Sequence, residues 1–284
     1  MNLTWKISLF ITMRSDEKNM SRLRIAFQTM KDYWKTSVIL TLIFIGVIGM
    51  YSGFYPAFKD SLQEMASTLK GEFTFLRGFE SMTSYPGFLN MELYQIFWIL
   101  ILGMLIGFLA SSLLSKEIEG KTIDLLMSNP VSRKQIILEK YLGLIPFIVL
   151  INVAALLTVY GLTVAIGEKI NLGYLILTHA VSVPYFLAIA AVGLLISVII
   201  DEKIKASIIT IAIIIGMYIF ESISLLIPDY KFMGYVSLTH YYNPADILLQ
   251  GIVDIYGVVV LVIFIVICLN ITIIYFNHRD ITVS

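Results

Sequence analysis

The chain has 284 residues, of which 58% are hydrophobic and 14% charged, with a mean hydropathy of +0.86. A soluble domain carries about 45–50% apolar and about 25% charged residues, so the composition excludes a soluble fold and defines an integral membrane protein. Its 20 basic and 20 acidic residues cancel, which excludes bulk attraction to nucleic acid.

Residues 1–13 hold a short apolar run, but charges follow and no small-residue cleavage site appears, so no cleavable signal peptide is expected. Residues 1–19 are assigned to an N-terminal extension ahead of Met20. In 20–36, Leu23, Phe27, Met30 and Trp34 share one helical face, and Arg22, Arg24, Lys31 and Lys35 are within reach of lipid phosphates. That pattern predicts an interfacial elbow helix. The plainer alternative is a basic leader that only sets topology.

A helix needs about 20 apolar residues to cross the hydrocarbon core. Six runs reach that length, at about 37–58, 89–114, 141–166, 172–200, 206–227 and 252–276. The expected fold is an all-α membrane protein with a six-helix transmembrane domain over 37–284. Pro146 and Pro184 are expected to kink the third and fourth spans.

The outer loop 59–88 contains Leu62, Met65 and Leu69 at helical spacing, followed by Phe73, Phe75, Leu76 and Phe79. It reads as a cap, as a dock for an extracytoplasmic partner, or as a helix lying on the membrane. Near the last span, Asn243-Pro244-Ala245-Asp246 is a helix start, with Asn as the cap and Pro in the first turn. Of the 20 Lys and Arg residues, 15 fall in the N-terminal segment, 115–140, 201–205 and the C-terminus, and 5 on the opposite side. The positive-inside rule then places both termini in the cytoplasm, in a multi-pass protein of the cell membrane.

Within the spans, Gly49 and Gly53 form one small-residue stripe, and Gly103, Gly107 and Ser111 another. Such stripes serve helix packing within the chain or a dimer seam. Glu221 is the outstanding charge inside a span and a candidate for the translocation pathway. His179, near an outer end, reads as an interfacial residue. The one cysteine, Cys268, lies in an apolar run, and no metal site is expected.

The polar segment 115–140 contains Gly120-Lys121-Thr122, the closing letters of a phosphate-binding loop. Ser115 stands where that loop needs its first glycine, a transmembrane helix precedes it rather than a strand, and Glu117 and Glu119 would repel phosphate. A helical reading fits better. Ile118, Thr122, Leu125 and Leu126 fall on one face, and Glu117 and Lys121 are in the favourable i, i+4 order. Ser128-Asn129-Pro130 ends that helix. Ser132 and Gln135 form a capping box for the next one. An amphipathic helix between two spans needs lipid or a protein against its apolar face.

The segment resembles the cytoplasmic loop of ABC-2-type transporter permeases at Glu117, Glu119, Gly120, Thr122, Leu125, Leu126, Pro130, Ser132, Arg133, Lys140 and Gly143. It departs from that pattern at Lys121, between Gly and Thr, and at Glu139, where a Gly commonly precedes the Lys. Tyr242–Asp246 and Phe276–Ile281 resemble the family's Asn-Pro helix and its Arg-Asp ending. The branch that includes the nitrous-oxide reductase copper-maturation permease is the most similar. The resemblance implies a type V exporter-like architecture in which this loop is a coupling helix seated on a separate ATPase. Glu117, Ile118, Glu119, Gly120, Thr122, Leu125, Leu126, Pro130 and Arg133 are then the coupling residues. Glu117 and Glu119 would pair with basic groups on the ATPase or the elbow helix, or be solvated. The implied assembly has two ATPases, which bind ATP and Mg, and a second permease copy, identical or related. This chain itself would bind no cofactor and catalyse nothing. The alternative is a membrane scaffold that passes ATPase motion to an extracytoplasmic partner without transporting. A membrane enzyme is disfavoured, because no catalytic constellation gathers at one depth.

Overall fold

The computed structural model describes residues 23–68, 83–123 and 131–279, and all regular elements among them are helical. The N-terminal extension, residues 69–82 of the expected outer loop, and Leu125, Leu126 and Pro130 lie outside the described residues. Among the described residues, six helical stretches are long and apolar enough to cross a membrane: Arg24–Glu64, Tyr85–Glu119, Arg133–Ala165, Leu172–Ile199, Lys203–Leu226 and Ile255–His278.

Helix α1 (Arg24–Thr68) has 45 residues, about 67 Å at 1.5 Å per residue. The expected elbow and first span are therefore one unbroken helix. Neither Gly nor Pro occurs between Arg24 and Ile45, so nothing in that stretch ends the elbow. Leu23, Phe27 and Trp34 are exposed, while Thr29 and Ser37 on the opposite side are buried. The helix also continues past Phe58, so the first part of the expected outer loop is helical too.

The second span is composite. It runs through α2 (Tyr85–Leu89), a π-helix over Asn90–Leu102 and α3 (Gly103–Glu119). Helix α4 (Arg133–Leu142) then leads to a break at Gly143-Leu144 and to α5 (Ile145–Ala165). Pro146 thus does not kink a continuous span. It sits in the first turn of α5, where its missing N–H leaves no bond unmade. Pro184 does lie inside α6 (Leu172–Ile199). After α7 (Lys203–Leu226), two 3-10 segments (Pro228–Val236 and Leu238–Tyr241) lead into α8 (Pro244–Gln250) and α9 (Ile255–His278). Asn243 caps α8 by accepting from Ala245 N–H at 3.1 Å, and Gly251 closes it in the left-handed region at φ +72°.

Helix α6 is the axis of the bundle, packing on α3, α5, α7, α8 and α9. Of its apolar window, 67% is buried, against 17% for α7 and 22% for α9. The outer faces of α7 and α9 are left to lipid or to another chain.

His179 is not interfacial. It is 3% exposed, with Nδ1 3.3 Å from Asn152 Oδ1 and Nε2 3.0 Å from Tyr94 O–H. Asn152 donates its Nδ2 to Ile148 O, so its Oδ1 is the acceptor and His179 carries its proton on Nδ1. Tyr94 then donates to Nε2, and a neutral imidazole joins the π segment to α5 and α6. Burial of so polar a ring is tolerated because both nitrogens are paired.

Among the described residues, the π segment carries an amide that is not compensated. Asn90 is 0% exposed and neither amide atom has a hydrogen-bond partner. Leaving a buried amide unpaired costs about 1–3 kcal/mol. Asn90→Leu is therefore expected to raise unfolding stability by about 1–3 kcal/mol, read as a higher melting midpoint of the purified protein; an unchanged or lower midpoint would show that the amide is satisfied.

Candidate functional site

The charges of segment 115–143 converge at one end of the bundle, together with the start of α1, the α6–α7 connection and the end of α9. Helix α3 ends at Glu119, and its termination is built by the Gly120-Lys121-Thr122 letters. Thr122 N–H reaches Glu117 O at 2.9 Å and Lys121 N–H reaches Ile118 O at 3.1 Å, with Lys121 at φ +52°. These two bonds around a left-handed residue are a Schellman cap. Left-handed backbone costs a non-glycine residue about 1–2 kcal/mol. Lys121→Gly should thus stabilise the protein by about 1 kcal/mol, visible as a higher melting midpoint; a decrease would mean that the lysine side chain outweighs the strain.

The cap corrects the expected amphipathic helix, because Ile118 and Thr122 do not share a continuing helix. Ile118 packs against the chain's own core and Ile123 is fully buried, so apolar groups here turn inward. Lys116, Glu119, Gly120, Lys121 and Thr122 form the exposed tip.

The acidic pair also has partners within the chain. Glu119 Oε2 accepts from Lys203 N–H at 2.9 Å and so caps α7 from outside, a contact of the kind worth about 1 kcal/mol. Glu117 pairs with Lys140, which is only 6% exposed. Within the chain, Lys203 and Lys140 are thus the partners of the acidic pair.

Arg133 acts on the end of α9. Its Nη1 donates to Phe276 O at 2.6 Å, Arg279 O at 2.8 Å and Asn277 O at 3.3 Å, and its guanidinium lies 5.5 Å from the Phe276 ring centroid. A cation on the last carbonyls of a helix satisfies orphan acceptors and opposes the macrodipole. Arg279 in turn bonds Val198 O and Asp201, tying α9 to the end of α6.

Glu139, 3% exposed, is the most enclosed acid of this end. Its Oε2 accepts from Ile25 N–H at 2.8 Å and Ala26 N–H at 3.3 Å, and its Oε1 from Gln135 Nε2 at 2.6 Å. It holds the orphan N–H groups that open α1. Gly143 makes this approach possible, since a Cβ there would lie 2.7 Å from Thr29 Cβ and 3.0 Å from Ala26 O. Ser132 caps α4 as its position predicts, accepting from Gln135 N–H at 3.1 Å. Glu139 was not singled out as a site by periodicity, although a Glu-Lys pair inside the apolar run I-I-L-E-K-Y-L was the available signal.

At the other end, Glu221 Oε2 lies 2.9 Å from His240 Nδ1, with the carboxylate side chain 13% exposed. Glu221 therefore latches α7 to the second 3-10 segment. Gly234 is required beside the latch, because a Cβ would lie 2.8 Å from Glu221 Oε2 and 2.8 Å from His240 Nδ1.

The glycine stripes separate. Gly107 packs against Ile214, Thr210 and Ile189, Gly103 lies against Tyr185 and Ile214, and Ser111 Oγ is 3.1 Å from Ser207 Oγ. That stripe seats α3 on α6 and α7. Around Gly49 and Gly53 nothing lies within 4 Å of an added Cβ, so this stripe does not pack within the described residues.

A six-span helical protein whose polar loop and helix ends converge at one end is a multi-pass membrane protein of permease architecture. The family model for the ABC-2 family transporter protein matches residues 25–281, and the chain belongs to that family. No curated protein matches it in sequence. The membrane subunits of this family work with an ABC ATPase, so membership implies association with such an ATPase and with the membrane.

Proposed function

We propose that the chain is the permease subunit of an ABC exporter, coupling ATP hydrolysis on a separate ATPase to movement of a substrate out of the cytoplasm. The observation that carries this reading is the single end of the bundle where the exposed tip Glu119–Thr122 and the ends of α1, α3, α6, α7 and α9 are joined by side-chain contacts. A push on that tip reaches most of the spans. In this reading both termini are cytoplasmic, ATP and Mg stay on two ATPase subunits, and a second permease copy completes the assembly. The outward Gly49–Gly53 stripe suits a close helix approach to that copy. Glu221, latched to His240 at the outer end, is the candidate group on the pathway.

One observation favours the scaffold alternative. Helix α1 extends ten residues beyond Phe58, about 15 Å at 1.5 Å per residue, and would present residues 59–68 outside the membrane. Deleting 59–80 distinguishes the two readings: transport that survives loss of an outer partner supports the exporter.

The exporter reading is tested by Leu125→Asp in the assembled complex. Because Glu119 caps α7, a change at Leu125 is the cleaner probe of the loop. The protein should insert normally and lose its stimulation of ATPase activity; full stimulation would overturn the coupling role.

A further inference from the structure

We propose that α4 is a distributor of motion, with Arg133 and Glu139 as positioning residues that each tie this short helix to the end of a different span. The proposal rests on the reading of segment 115–140 as the ATPase contact and assigns what happens after that contact moves. Helix α4 is only ten residues long, yet three of its side chains leave it for three other helices. Arg133 grips the last carbonyls of α9, Glu139 grips the first N–H groups of α1, and Lys140 grips Glu117 at the end of α3. Through Arg279 the first of these grips continues to the end of α6.

The anchors act on backbone groups, or on the half-buried Glu117 carboxylate, rather than on fully exposed side-chain tips. Glu139 and Lys140 are 3% and 6% exposed, so neither can exchange its partner for water without leaving the interior. Ile136 and Ile137, both fully buried, fix the helix between them, and Gly143 lets the α1 backbone approach too closely for slippage. A displacement of α4 thus carries the ends of α1, α3 and α9 with it. Helix α5 is different, because the break at Gly143-Leu144 separates it from α4. The anchors are separable, so breaking one should disconnect one span and leave the others driven.

The test uses the full-length chain with its co-purified ATPase in lipid nanodiscs. An environment-sensitive fluorophore is placed at Asp60→Cys on α1 or at Ile255→Cys on α9, both exposed, while the native Cys268 is buried. The reading is the emission change on trapping with ADP and vanadate. Wild type should respond at both positions. Arg133→Gln should lose at least half of the Ile255 response and keep the Asp60 response, and Glu139→Gln should do the reverse. Arg133→Lys, which keeps the cation, should restore part of the Ile255 response and decides the matter if Arg133→Gln fails to assemble. Responses that both variants leave unchanged, or that fall equally at both positions, overturn the distributor while leaving the coupling reading intact. A wild-type complex that binds nucleotide and responds at neither position overturns the coupling reading itself.

Discussion

Lys140→Met is expected to destabilise the protein by about 2 kcal/mol, because it leaves the half-buried Glu117 carboxylate without its charged partner. The lysine is 6% exposed and pairs with Glu117 across the interface between α4 and α3. Glu117 Oε2 already lacks a hydrogen-bond partner, so the carboxylate has little else to hold it once the ammonium is gone. The companion change Glu117→Gln should restore most of the loss, since a neutral pair in the same space escapes the desolvation term that dominates buried ions. Unfolding midpoints of the single and double variants check this. Equal losses in both would mean that the lysine matters for its packing rather than its charge.

Gly193→Val is expected to cost at least about 3 kcal/mol and to leave little folded protein, the upper end of overpacking effects. A Cβ at Gly193 would lie 2.8 Å from Ala110 Cβ, 2.8 Å from Gly107 O and 3.0 Å from Ser111 N. Two of those atoms are backbone, so α3 and α6 would have to part along the seam that organises the core. Gly49→Ala and Gly53→Ala have nothing within 4 Å to meet, and each should be neutral or stabilising by up to about 1 kcal/mol, the helix-propensity difference between Gly and Ala. Yields and melting midpoints of the three variants separate the α3–α6 seam from the Gly49–Gly53 stripe; a tolerated valine at Gly193 would contradict the close α3–α6 approach.

The contrast between the stripes shows what a linear pattern conveys. Both have the same four-residue spacing, and spacing says only that small residues share a helix face. Which face meets another helix is decided by the path of the chain, and only the Gly103–Ser111 stripe packs inward. The six spans were legible because apolar length is a direct requirement of the bilayer. The caps at Ser132 and Asn243 were legible because capping is local chemistry. The elbow looks separate in the sequence because amphipathic and uniformly apolar stretches differ in composition, although no breaker divides them. The π segment was not legible at all: in N-M-E-L-Y-Q-I-F-W-I-L-I-L nearly every position is apolar, so no period distinguishes one helix type from another.

The charged end was half legible. Glu117, Glu119 and Arg133 stood out as charges in a polar loop, but a charge in a loop does not say whom it meets. Glu119 answers to Lys203, and Arg133 to carbonyls of Phe276 and Arg279, far away in sequence. Glu139 caps residues 113 and 114 positions earlier. Glu221 stands out in the sequence as a charge inside a span, yet its partner His240 lies beyond a 3-10 segment that no periodicity marks.

The central claim is that this chain works as the membrane half of an ATP-driven transporter, and isolation of the native complex from membranes tests it most directly. An ABC ATPase should co-purify in equal number with the chain and hydrolyse ATP faster in the complex than alone. A chain that purifies without an ATPase, or with one whose hydrolysis rate it leaves unchanged, would contradict the account.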